Sequence, residues 1–201
     1  MADWGAGFSS VNALAAAHGG PEVEVELVGP HLRVGGTISL GHFGRLSDRV
    51  NLSRGFVLLH DARLLKRNGD PTPLVVPELY VNQDEITFVA VSHAGFEDRP
   101  GADAGGKGLL IPKQPRRYVV FTPGHSISGL IHVHEEMSLS NFVDASDPRF
   151  IPMTAAITRS LADRRVVSRF DFLLINRRQM TAVAEAERSG VGPEGPTIET
   201  G

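Results

Sequence analysis

The sequence predicts an all-β protein built from two related small β-barrel or sheet units in tandem, with a short N-terminal helix and a disordered C-terminal tail. Three observations predict it. The stretch Gly36–Asn51, GTISLGHFGRLSDRVN, returns in altered form at Gly129–Asp144, GLIHVHEEMSLSNFVD, and Pro30 matches Pro123 at the same offset of 93 residues. Downstream the offset becomes 94, where Phe56 meets Phe150, Leu59 meets Met153, Ala62 meets Ala156 and Val81-Asn82 meets Ile175-Asn176. Ordered matches at one period are a fold-level signal. Third, apolar residues recur with period 2 in short runs bounded by Gly, Pro, Asn or Asp, which is how half-buried strands read. A unit of about 65 residues buries little surface by itself, so the two copies are expected to pack together or assemble further.

Residues 1–20 form an Ala- and Gly-rich arm or short helix, with Ser9-Ser10 as the cap and Gly19-Gly20 as the stop. The first unit spans 21–93. Its strands are expected at Val23–Val28, Leu32–Leu40, Phe56–Leu65, Leu74–Asn82 and Glu85–Val91. Gly41–Gly44 reads as a bend. The segment Arg45–Asn51 follows, with Leu46 and Val50 one helical turn apart and facing inward. Asn68-Gly69-Asp70-Pro71 is a turn signal. Residues 94–116, rich in Gly, Asp and Pro, read as a flexible linker. The second unit spans 117–186, with Ser160–Arg165 in place of the Asn-Gly turn and closing strands at Arg169–Ile175 and Arg178–Val183. Residues 187–201 read as a disordered tail.

Composition narrows the function. With 41% hydrophobic and 21% charged residues the chain is an ordinary globular one. Aromatics make up 6%, so stacking platforms for nucleic acid are scarce. A net charge of −3 argues against a non-specific polyanion binder. The chain has no cysteine, which excludes disulfides, thiolate zinc sites and cysteine nucleophiles, and makes a cytoplasmic home the expectation. MADWGAGFSS has no basic region followed by an apolar stretch, so no secretory signal is expected. No apolar run reaches about 18 residues, so no membrane span is expected.

Chemical motifs are sparse. Gly101–Gly108, GADAGGKG, spells most of a phosphate-binding loop, but Gly108 stands where the loop needs Ser or Thr. Gly124–Ser128, GHSIS, lacks the last Gly of a nucleophile elbow and falls where a strand begins. No catalytic set and no cofactor are expected. His132 and His134 leave the same face of one strand; with nearby His125 and a Glu they are the residue types that hold a divalent metal. An exposed polar face is the competing reading. Arg45, Asp48, Arg49 and Asn51 form a polar cluster that returns in the second unit as Asn141 and Asp144. Asp and Asn there either fix turns through the backbone or contact a ligand. The pairs Arg116-Arg117, Arg164-Arg165 and Arg177-Arg178 are candidate contacts for an anionic partner.

With Gly36, the Asp48/Asn51 turn, the Val57–Leu59 strand and the later Val81-Asn82 pair, each unit resembles an Sm-like small β-barrel. The Asp–Asn spacing is one residue short of that pattern, and no Arg-Gly pair stands at 81–82. The resemblance implies ring assembly and RNA contact through those two loops, and in the second unit it brings in Asn176, Arg177 and Arg178 beside Asn82. Three functions are therefore expected in this order. The first is a non-catalytic interaction or scaffold protein whose partner is another protein or a second copy. The second is an Sm-like RNA binder, and the third a metal-binding enzyme or sensor at His125, His132 and His134.

Overall fold

The computed structural model describes residues 20–66, 71–91, 96, 98, 113–145 and 147–186. The expected N-terminal helix, the Asn68–Asp70 turn, the phosphate-loop look-alike at 101–108 and the C-terminal tail lie outside the described residues.

The chain is all-β. Ten strands run β1 (Glu22–Val28), β2 (Arg33–Ser39), β3 (Phe56–Leu65), β4 (Pro71–Asn82), β5 (Phe88–Val91), β6 (Lys113–Phe121), β7 (His125–His134), β8 (Phe150–Ser160), β9 (Val167–Asn176) and β10 (Ala182–Glu185). Two six-residue helices, α1 (Leu46–Asn51) and α2 (Leu139–Asp144), stand between β2 and β3 and between β7 and β8. Short 3-10 turns, Gln83–Glu85 and Arg177–Gln179, precede β5 and β10. The strands form one sheet in the order β10-β6-β7-β8-β9-β5-β1-β2-β3-β4. Every adjacent pair is antiparallel. Within the first half the order is β5-β1-β2-β3-β4, and within the second it is β10-β6-β7-β8-β9.

Period-2 patterning makes the strands. Val23, Val25 and Leu27 of β1 are buried, while Glu22 and Glu24, which alternate with them, are exposed. Gly36 and Gly129 mark the same irregularity in their halves, a register shift between β2 and β3 and between β7 and β8. Across from them, Asp61 and Ala155 take positive φ of 50° and 47°. A Cβ on Gly129 would lie 2.6 Å from Met153 Sδ and 2.9 Å from the Thr154 carbonyl, so the strands approach too closely there for a side chain.

Helix α1 forms because Leu46 and Val50, one turn apart, are both fully buried. Arg45 at its N-cap supplies no side-chain bond. The Asp98 carboxylate does so instead, accepting from Leu46 N at 2.7 Å and Ser47 N at 3.2 Å. Asp98 thus ties part of the expected linker to the first half, as does Phe96, which packs on Phe172 with ring centroids 5.3 Å apart. Helix α2 carries its own cap, Ser138 Oγ accepting from Asn141 N at 3.1 Å.

Four details differ from the sequence reading. The strands expected at Glu85–Val91 and Arg178–Val183 begin only at Phe88 and Ala182, because 3-10 turns at Gln83–Glu85 and Arg177–Gln179 precede them. Lys113–Arg116, expected in the linker, belong to β6, where Lys113 pairs with His134 and Arg116 with Ile131. Charged residues and Pro115 mask a strand whose outer face is solvated. Val143, the match of Val50, is 51% exposed, and Phe142 turns inward instead. The fourth difference concerns how the halves meet. They lie edge to edge in one continuous sheet, and the β5–β9 ladder joins them. No helix is long and apolar enough to cross a membrane among the described residues.

Candidate functional site

Three of the residues singled out by the sequence, Asn51, Asn176 and Arg178, meet at the junction between halves. There Phe88 faces Ile175, Val89 faces Leu174 and Ala90 faces Leu173. Side chains cross over with the ladder. Phe150, Phe172 and Leu174 of the second half pack into the first core, while Val28, Phe88 and Ala90 of the first half pack into the second. Such exchange removes apolar area from water on both sides of one short ladder.

A polar lock surrounds it. Asn51, the last residue of α1, treats the Phe150 peptide groups as a strand would: Asn51 Nδ2 donates to Phe150 O at 3.0 Å and Asn51 Oδ1 accepts from Phe150 N at 2.7 Å. Asn176 is fully buried. Its Nδ2 donates to Gln83 O at 2.9 Å and Ile86 O at 2.7 Å, and its Oδ1 accepts from Arg178 N at 3.1 Å. Arg149 donates to Gln83 Oε1 at 3.2 Å and to Asp84 Oδ1 at 2.6 Å. Arg178 reaches the same Asp84 oxygen at 3.3 Å, and Gln179 donates to Asp84 O at 2.6 Å.

The guanidinium of Arg149 beside Asp84, with Arg178 as a lesser contributor, holds that carboxyl below its ordinary value. A depressed carboxyl contributes stability above its unfolded value and loses it as pH falls through the lower folded value. Asp84→Asn is therefore expected to reduce the fall in urea midpoint between about pH 5 and pH 2, and the two proteins should converge at the acid end. Equal pH slopes would show that the bridge adds nothing. The effect is modest because Asp84 is largely solvated.

The other predicted residues have mostly local duties. Arg49 donates to Ser39 O at 3.1 Å and Ser53 Oγ at 3.0 Å. Arg45 Nε is buried without a partner among the described residues. Asn82 Oδ1 accepts from Asp84 N at 2.9 Å, the bond that Asn176 makes to Arg178. Arg177 donates to Phe142 O and lies over the Phe142 ring, 5.0 Å from its centroid. Burial lowers its pKa from the usual arginine value. Asp48, Asn141 and Asp144 are exposed. Arg177 and Arg178 are thus engaged within the fold.

The three histidines are not gathered. His125 opens β7 and meets Phe88 edge-on, with centroids 5.4 Å apart. His132 and His134 lie seven and nine residues further along the strand, and at roughly 3.3 Å per residue that separation exceeds any shared coordination sphere. His132 Nε2 contacts Thr154 Oγ1 at 3.4 Å. Among the described residues no group of three or more His, Cys, Asp or Glu is placed to hold a metal. His125 borders a cavity of about 660 Å³ between the β1–β2 turn and the β8–β9 hairpin, shared with His31, Arg33, Phe88, Thr158 and Phe170. Gly124 precedes β7 and His125–Ser128 opens it, as expected of a strand entry rather than an elbow.

Sequence reasoning misses Phe150, Gln83, Asp84 and Arg149. Phe150 is visible as the match of Phe56; its role is not, because nothing local distinguishes the two. Among the described residues both ends of the sheet lack a neighbouring strand, with β4 at one and β10 at the other. Four positions separate these ends from the junction. Phe150 is 0% exposed and Phe56 52%; Leu174 is 0% and its match Tyr80 51%; Val28 is 5% and Phe121 40%; Val50 is 0% and Val143 51%. Comparison of the chain with protein-family models, with curated proteins and with solved structures gives no match in any of the three.

Proposed function

We propose that the chain is a non-catalytic scaffold protein built on a duplicated small β module, and that it assembles head to tail with further copies of itself. In this reading each half is an Sm-like module. Strand β10 of one copy lies on β4 of the next, in the register of β5 on β9. Ala182 then faces Val81, Val183 faces Tyr80 and Ala184 faces Leu79.

The contrast at the four matched positions carries the reading. The large apolar side chains are kept at both ends of the sheet, Phe56 and Tyr80 on one and Phe121 and Val143 on the other, where a solitary chain leaves them in water. Their matches are covered inside the chain. Prolines support the same register. Pro71, Pro73 and Pro77 lie on the outermost strand, where a missing N–H blunts an edge, and Glu78–Asn82 is its longest run without proline. That is the segment matching Phe172–Asn176, which receives β5. A contact joining unlike edges is heterologous, so it can repeat from copy to copy.

Cysteine pairing tests it, since the chain has no cysteine to interfere. Directly opposed residues in an antiparallel pair have Cα atoms about 4.5–5.5 Å apart, within disulfide range. A Leu79→Cys chain mixed with an Ala184→Cys chain is expected to form a mixed disulfide dimer under mild oxidation. Neither should do so alone, and Leu79→Cys with Ala182→Cys should couple poorly. Light scattering provides a second readout: the unaltered chain should exceed 21.6 kDa, and Tyr80→Lys and Phe121→Lys should each return it toward that mass. Dimers of Leu79→Cys alone would mean like edges pair. A 21.6 kDa species at tens of micromolar, or lysine variants without effect, would overturn head-to-tail assembly.

A further inference from the structure

Asn51 and Asp144 occupy the same place in their halves. Asn51 ends α1 between β2 and β3, and Asp144 ends α2 between β7 and β8. Their chemistry differs. Asn51 offers the Phe150 peptide groups a donor and an acceptor, and both are used. In the head-to-tail contact proposed above, on which this inference rests, Asp144 faces the matching groups of Phe56 on the next copy. An ionised carboxylate has acceptors only. It can take the Phe56 N–H, but it sets a negative oxygen against the Phe56 carbonyl, where Asn51 places an N–H.

We propose that Asp144 is the residue that sets the strength of the contact between chains, keeping it weaker than the equivalent contact within the chain. A second difference acts in the same direction. Arg149, which bonds Gln83 and Asp84 across the internal junction, is matched by Gly55, which has no side chain to offer the next copy. The internal contact is tethered and holds permanently. The outer one has lost a donor at Asp144 and a guanidinium at Gly55, so copies exchange.

Sedimentation equilibrium on the full chain tests this through one substitution at an exposed site. Asp144→Asn restores the missing donor, and a hydrogen bond of ordinary net strength corresponds to about a 5- to 10-fold tighter self-association. Asp144→Ala, which removes the charge without restoring the donor, should gain less. Asp147→Asn, a nearby exposed carboxylate, should change nothing. A wild-type chain that associates while Asp144→Asn binds no tighter would overturn the inference and leave head-to-tail assembly standing. Equal gains from Asp147→Asn would also overturn it, since general charge relief would then suffice. If neither wild type nor Asp144→Asn associates, the head-to-tail reading itself falls.

Discussion

Phe150→Ala is expected to destabilise the chain by about 3–5 kcal/mol, while Phe56→Ala, at the matching position, should stay within about 0.5 kcal/mol in the isolated chain. Phe150 begins β8, is 0% exposed, and packs into the core of the opposite half. Truncating it removes a large aromatic and leaves a cavity lined by residues from both halves, which relax only partly. Arg149 lies over the Phe150 ring, 5.7 Å from its centroid, so the guanidinium that holds Gln83 and Asp84 loses its backing as well. Phe56 begins β3 and is 52% exposed. Its loss deprives the folded chain of little, and its effect should appear as weaker self-association. Urea unfolding of both variants, together with their solution masses, separates the two effects. Equal stability costs would show that the junction does not treat the matched positions differently.

Asn176→Ala should cost about 2–4 kcal/mol. The buried amide serves three backbone groups at once: the Gln83 and Ile86 carbonyls and the Arg178 N–H. Alanine leaves these without that partner in a place water does not readily reach, and an unmet buried polar group costs more than a made bond gains. Asn82→Ala removes only the cap on Asp84 N and should cost about 1 kcal/mol. Guanidinium unfolding curves give both values. A result near 1 kcal/mol for both would mean that the Gln83 and Ile86 carbonyls find water instead, and the lock would reduce to a pair of turn caps of about that worth.

Much of the architecture is legible locally. The alternation of Val23, Val25 and Leu27, the placement of β3 over Phe56–Leu65, and the inward Leu46 and Val50 all follow from a strand period of 2 and a helical period of 3.6. The bond partners of Asn51 and Asn176 are not legible. Short-range reasoning assigns such residues to turns or ligands, and here they do neither alone: each spans the halves, across sequence separations of 99 and 93 residues. Lys113–Arg116 read as linker because an exposed strand face resembles a loop in composition.

The sequence by itself determined that this is a β protein and where most strands lie. Tertiary structure alone decided which of the residues aligned in sequence, such as Phe56 and Phe150, is covered. Phe56 and Phe150 each open a strand, and the strand lying alongside differs: among the described residues β4 has no outer neighbour, while β5 lies on β9. Burial is a property of that neighbour, which no local pattern encodes.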